Sequence, residues 1–149
     1  MSTRDQNLTA ALADVKAEIA RTDNKIGLLL AFIGAVLAGV WTVATGIHPN
    51  TAAISTGAAG MAALAAAAGL LLRAVRPNLG GRVGFPLWAT LTAHDIRAAL
   101  EGDQRSQHIA ALSRIAVAKF ARLRRAVDLV CAGGLLLTAA ALIVAGGAA

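Results

Sequence analysis

The chain has no tyrosine, a single cysteine and, from Ile26 to Leu72, not one Lys, Arg, Asp or Glu. Each absence excludes something. Cys131 sits alone inside an apolar run, so neither a disulfide framework nor a zinc-ligand set can be built. With no Tyr and three Phe there is no aromatic platform on which bases would stack, and the pI of 11.1 does not make nucleic acid a partner. The three histidines, His48, His94 and His108, are scattered, and only His94 has an acidic neighbour, Asp95, which reads as a polar pair at a helix start. No glycine-rich loop follows a strand pattern and no pair of residues shows metal-ligand spacing on a helix. The reading is of a non-enzyme, with no catalytic residue, no metal and no cofactor.

The missing charge between Ile26 and Leu72 carries the architecture. His48-Pro49-Asn50 divides the stretch into Ile26–Ile47 and Thr51–Leu72, each of 22 residues. At ~1.5 Å per residue such a helix spans roughly 33 Å, the thickness of a hydrocarbon core. A backbone crossing lipid must satisfy its own N–H and C=O groups, so both halves are predicted to be helices joined as a hairpin. Two such runs in series are too long for core helices of a soluble domain. The first begins after a polar leader and is longer than the apolar region of a signal peptide. A 57% hydrophobic composition agrees with a membrane protein. In span one, Gly27, Ala31, Ala35 and Gly39 recur every fourth residue and predict a smooth face for close helix approach. Trp41 and Thr45 fall toward the far interface. Span two is mostly Ala and Gly, which suits either simple bundle packing or a span that rearranges or self-associates.

Around the hairpin lie amphipathic elements. Residues 7–25 predict a helix capped by Asn7 or Thr9 and running without a break into span one. Leu8, Leu12, Val15, Ile19 and Ile26 form its apolar seam. Asp23 lies at the seam's edge; Glu18, Arg21 and Lys25 lie away from it. Arg73 and Arg76 stop span two, Arg76-Pro77-Asn78-Leu79-Gly80-Gly81 reads as a loop, and Gly84-Phe85-Pro86-Leu87-Trp88 as a segment able to dip into the interface. A short helix is expected over Leu91–Leu100. Residues 104–127 predict a longer one, with Ile109, Leu112, Ala116, Phe120, Leu123 and Val127 as seam and Arg114, Lys119, Arg122 and Arg125 on the opposing side. It continues into a third span, Ala126–Ala145. Asp128, at the mouth of that span, reads as an ion pair with Arg124 or Arg125, or else as a functional group.

The fold class is therefore an all-α membrane protein with three transmembrane helices, an N-terminal amphipathic helix and a basic cytoplasmic helical segment between spans two and three. Residues 1–149 form a single domain, divided as 1–25, 26–47, 51–72, 73–125 and 126–145. Ten of the fourteen basic residues fall in 73–125 and the other four in 1–25. Retention of Lys and Arg on the inner side places both segments, and the N-terminus, in the cytoplasm. The basic face, with Arg73 and Arg76 nearby, is suited to a phosphate held by charge-assisted hydrogen bonds, or to anionic lipid headgroups.

Three runs bear a family resemblance. Glu18-Ile19-Ala20-Arg21-Thr22-Asp23-Asn24-Lys25-Ile26-Gly27-Leu28-Leu29-Leu30 resembles the Asp-x-Lys element opening the first span of the membrane effectors of Pycsar anti-phage defence. Arg73 to Arg76-Pro77-Asn78-Leu79 is similar to that family's basic-Pro junction, with Asn78 where a second basic residue is typical. His108-Ile109-Ala110-Ala111-Leu112-Ser113-Arg114-Ile115, continuing through Lys119-Phe120-Ala121-Arg122-Leu123-Arg124-Arg125, resembles its helix before the last span.

The resemblance implies an effector that responds to a cyclic pyrimidine nucleotide, cCMP or cUMP, made by a phage-activated pyrimidine cyclase. Such an effector damages the bacterial inner membrane, and the infection aborts. The chain is too short for a separate nucleotide-binding barrel, so the cytoplasmic helices would have to bind the nucleotide. The phosphate contacts so implied are Asp23, Lys25, Arg114, Lys119 and Arg122, and a homo-oligomer in the bilayer is expected. A holin-like pore former and an accessory subunit of a membrane complex are the alternatives.

Overall fold

The protein is described by a computed structural model covering residues 3–46, 50–76, 85–100 and 102–147. The described residues form five helices joined by short turns, without strands: α1 Thr3–Ala44, α2 Thr51–Val75, α3 Phe85–Trp88, α4 Ala93–Leu100 and α5 Arg105–Gly147. α1, α2 and α5 are each long and apolar enough to cross a membrane. The predicted end of span one at Ile47, the turn residues His48 and Pro49, and the loop from Pro77 through Gly84 lie outside the described residues. The chain divides into two units. The first comprises Met1–Asp23 and Arg76–Phe120, the second Asn24–Val75 and Ala121–Ala149, with α1 and α5 contributing to both.

In the first unit the amino-terminal parts of α1 and α5 pair in parallel, Asp5 with Arg105 and Asp23 with Lys119. Inward-facing residues follow a 3-4 spacing: half-buried Asp5, Leu8, Leu12, Val15 and Ile19 and buried Thr22 on α1, and half-buried Arg105, Ile109, Leu112, Ala116 and Lys119 on α5. This is the heptad pattern of helices that pack as a coiled coil. Thr22 is fully buried there, its hydroxyl donating to the Glu18 carbonyl at 2.9 Å. α1 begins at Thr3, four residues before the predicted cap. Asn7 and Thr9 lie inside the helix, and the Thr9 hydroxyl donates to the Asp5 carbonyl at 2.9 Å. Arg105, bound to both Asp5 and Thr9, anchors this added turn.

Asp103 starts α5, its carboxylate accepting from the Arg105 backbone N–H at 3.0 Å. Thr92 caps α4, which begins at Ala93, two residues inside the expected Leu91–Leu100: the Thr92 Oγ1 accepts from the Asp95 N–H at 3.3 Å, and its hydroxyl donates to the Asp95 carboxylate at 2.7 Å. The indole of Trp88 meets the His108 ring edge-on, with centroids 6.4 Å apart.

The second unit packs the apolar part of α1, all of α2 and the rest of α5. Ile26, Ile33, Leu64, Ala67, Leu71, Ala74 and Ala126 form its core. Asn50 starts α2, its side-chain oxygen accepting from the Ala53 N–H at 2.9 Å. α2 runs antiparallel to α5: Gly57 faces Ala140, and four residues beyond Gly60, Leu64 meets Gly133. A Cβ built on Gly60 would lie 3.0 Å from the Gly133 carbonyl oxygen, and one on Gly133 would lie 3.0 Å from that of Gly60. This is the close approach that small residues permit. It does not fall on the predicted face of span one. Gly27 and Gly39 have nothing within 4 Å of a Cβ position, and Ala31 and Ala35 are exposed.

The buried face of α5 also differs from the predicted seam. Phe120 and Val127 are exposed, while Lys119 is half-buried and Ala126 fully buried. The residues facing inward, Leu112, Ala116, Lys119, Leu123, Ala126, Val130, Gly133, Leu137 and Ala140, alternate strictly by four and three. A seam of period 3.5 drifts by ~20° per heptad around a straight helix, and drift of this kind turns a long inward face away from one drawn at a fixed 100° per residue. Outward-facing apolar groups such as Leu28, Trp41, Leu135 and Leu142 are about two-thirds or more exposed. In water such faces would be a liability; in a bilayer the acyl chains solvate them.

Candidate functional site

Of the five residues singled out by sequence, the structure joins two. The Lys119 ammonium donates to Asp23 Oδ1 at 2.5 Å. Lys119 is carried into the α1–α5 seam by the heptad spacing, its side chain only 15% exposed, while the Asp23 carboxylate is 41% exposed. Lys119 therefore does not lie on the opposing basic face, as fixed 100° steps placed it. Arg114, on the same helix of the first unit, is exposed and makes no ion pair with any described residue. Lys25 and Arg122 belong to the second unit, where both are exposed. Asp128 is exposed too, and among the described residues no ion pair joins it to Arg124 or Arg125.

A second charged cluster in the first unit was not singled out from the sequence. Arg105 donates to the Asp5 carboxylate at 2.6 Å, the Asp5 carbonyl at 3.0 Å, Thr9 Oγ1 at 2.9 Å, and Asp103 Oδ1 and Oδ2 at 2.9 Å each. The hydrogen bonds from the Arg105 side chain and backbone hold the Asp103 carboxyl at about 2, below its ordinary value of 3.8. The same contact with Asp103, followed by that with Asp5, raises Arg105 further above its already high value. A signal for this cluster was present. Extending the Leu8 seam back by three residues reaches Asp5, and extending the Ile109 seam back by four reaches Arg105.

Among the described residues of the second unit, Lys25, Leu28, Leu29, Phe32, Leu123 and Val127 line an open groove of about 390 Å³. Chemically, the charge of Lys119 is already matched by Asp23, whereas Arg114, Lys25 and Arg122 present cations that no described carboxylate occupies.

Three membrane-length helices, two of them prolonged by charged amphipathic segments, define an all-α multi-pass membrane protein. Residues 7–146 match the family model of the Pycsar effector protein domain, and the chain belongs to that family. A role in Pycsar anti-phage defence, and a link to its cyclic-nucleotide signalling, follow from that membership. No curated protein and no solved structure matches the chain.

Proposed function

We propose that the protein binds a cyclic pyrimidine nucleotide, cCMP or cUMP, and in response impairs the bacterial inner membrane, so that an infected cell stops growing before phage spread. It acts without catalysis, as a single effector domain over residues 1–149, in the bilayer and as a homo-oligomer. Its signal comes from a pyrimidine cyclase. The N-terminus is cytoplasmic, because that orientation keeps all fourteen basic residues on the inner side of the three spans.

One observation carries the ligand reading: the Asp23–Lys119 pair set into an otherwise largely apolar seam of the first unit. A cyclic nucleotide carries a single phosphodiester charge, the same charge as the Asp23 carboxylate. Its phosphate replaces Asp23 on the Lys119 ammonium, with the unoccupied Arg114 guanidinium as a further donor on the same helix. Asp23 then leaves the seam, and the α1–α5 pairing loses the ion pair that Lys119 makes with it. The nucleotide shifts the resting population only by its greater affinity for the state in which Lys119 is free. Lys25 and Arg122, in the other unit, are left to the membrane surface.

The test is dye release from liposomes carrying the purified protein, with cCMP, cUMP and cAMP added in turn. Release is expected from the wild type with one pyrimidine nucleotide only, and Arg114→Ala should abolish it at equal insertion, whereas Lys119→Ala, which itself breaks the pair with Asp23, should release dye whether or not nucleotide is present. Release from the wild type without any nucleotide overturns the ligand reading in favour of a holin-like pore. No release under any condition, with insertion verified, points instead to an accessory subunit.

A further inference from the structure

The groove of the second unit is not used by the function just proposed. Lys25 and Leu28, Leu29 and Phe32 of α1 form one wall, Leu123 and Val127 of α5 the other. Five of the six lining residues are apolar, and three of those stand open: Leu28 at 67%, Phe32 at 54% and Val127 at 41% exposure. The sixth, Lys25, is the last charged residue of α1 before its apolar run, is exposed, and has no carboxylate within 4 Å among the described residues. Arg124 stands three residues before Val127 on α5, one turn toward the charged end of the helix, also exposed and without an ion pair. The second unit holds five cations, Lys25, Arg73, Arg122, Arg124 and Arg125, against the one acid, Asp128.

The complement of such a site is an amphiphile with an anionic head and an aliphatic tail. A free nucleotide has no group to cover Leu28, Leu29, Phe32, Leu123 and Val127, and a second copy of this apolar face would bring its own lysine against Lys25. A lysine lays its aliphatic stem on apolar surface and holds its ammonium at the polar boundary, where a phosphate lies when the attached chain enters the bilayer. We infer that the groove binds one anionic phospholipid, an acyl chain lying between α1 and α5, its phosphate on Lys25 and Arg124 supplying a second donor. The site is separate from Asp23, Arg114 and Lys119, and stands or falls without the nucleotide reading.

The experiment is native mass spectrometry of the full-length protein in detergent, titrated with phosphatidylglycerol or with phosphatidylcholine of the same acyl chains. One phosphatidylglycerol per chain should be retained in preference to phosphatidylcholine. Lys25→Gln should weaken phosphatidylglycerol by about five-fold and leave phosphatidylcholine unchanged. Val127→Trp, which fills the groove without touching its charge, should weaken both. Lys16→Gln, an exposed cation of the first unit, should change neither. Equal retention of the two lipids by the wild type, unaltered phosphatidylglycerol binding by Lys25→Gln, or displacement of bound phosphatidylglycerol by inorganic phosphate alone would each overturn the assignment.

Discussion

Gly60→Ala adds one methyl group where α2 meets α5. The new Cβ would stand 2.9 Å from Leu137 Cγ, 3.0 Å from the Gly133 carbonyl oxygen and 3.2 Å from Leu136 Cβ. Two of these atoms are a backbone oxygen and a Cβ, and neither can swing aside as the end of a side chain can. The helices must separate, or the side chains must leave their rotamers, at a cost of about 1–3 kcal/mol. Alanine returns up to about 1 kcal/mol of helix propensity relative to glycine. Gly69→Ala, on the same helix, gains that propensity and meets nothing within 4 Å. The two variants should therefore differ by about 1–3 kcal/mol. Gly133→Ala should repeat the Gly60 result, since its Cβ would meet the Gly60 oxygen at 3.0 Å and Leu64 Cγ at 3.0 Å. The double substitution should cost less than the sum of the singles, because one separation of the helices relieves both contacts. Thermal unfolding of the full chain in detergent, followed by circular dichroism, measures all four. Gly60→Ala as stable as Gly69→Ala would refute the close approach.

Two further predictions rest on the charged pairs. Asp23→Asn leaves the half-buried Lys119 ammonium without its carboxylate, a loss of about 1–2 kcal/mol once partial exposure is allowed for, and the exchange Asp23→Lys with Lys119→Asp should recover most of it. If the exchanged protein melts no higher than Asp23→Asn alone, the pair does not fix the α1–α5 register. Asp103, held at about 2 by Arg105, contributes stability that is fully present above 3.8 and lost as pH falls through about 2. Its carboxyl resonance should titrate with a midpoint near 2, and a midpoint near 3.8 would show the Arg105 contact absent in solution.

Much of the architecture could be read from local sequence. The three apolar runs, the continuous passage of residues 7–25 into span one and the helix over 104–127 running into span three all correspond to described helices. The errors share one form. Fixed 100° steps put Phe120 and Val127 in the seam and Lys119 opposite it, and the four-residue repeat of small residues puts the close approach on Gly27 and Gly39, where the structure has none of these. Each depends on which side of a helix meets a neighbour, and a uniformly apolar or Ala-rich helix presents several equivalent sides. Asp23 and Lys119 were both named from the sequence, yet their pairing was not. Each seam extended backward reaches Asp5 or Arg105, but their pairing joins positions a hundred residues apart, which no local pattern encodes.

By itself, the sequence determined that the protein is helical, that it spans a membrane three times and which segments carry the charge. Those properties depend on run length, period and composition within windows of about twenty residues. Only the tertiary structure decided that Lys119 is held by Asp23, that Arg105 ties the starts of α1 and α5, and that Gly60 lies on Gly133. Those contacts depend on the rotation and register of one helix against another. Both are set by the fit of side chains from distant parts of the chain, which no single window contains.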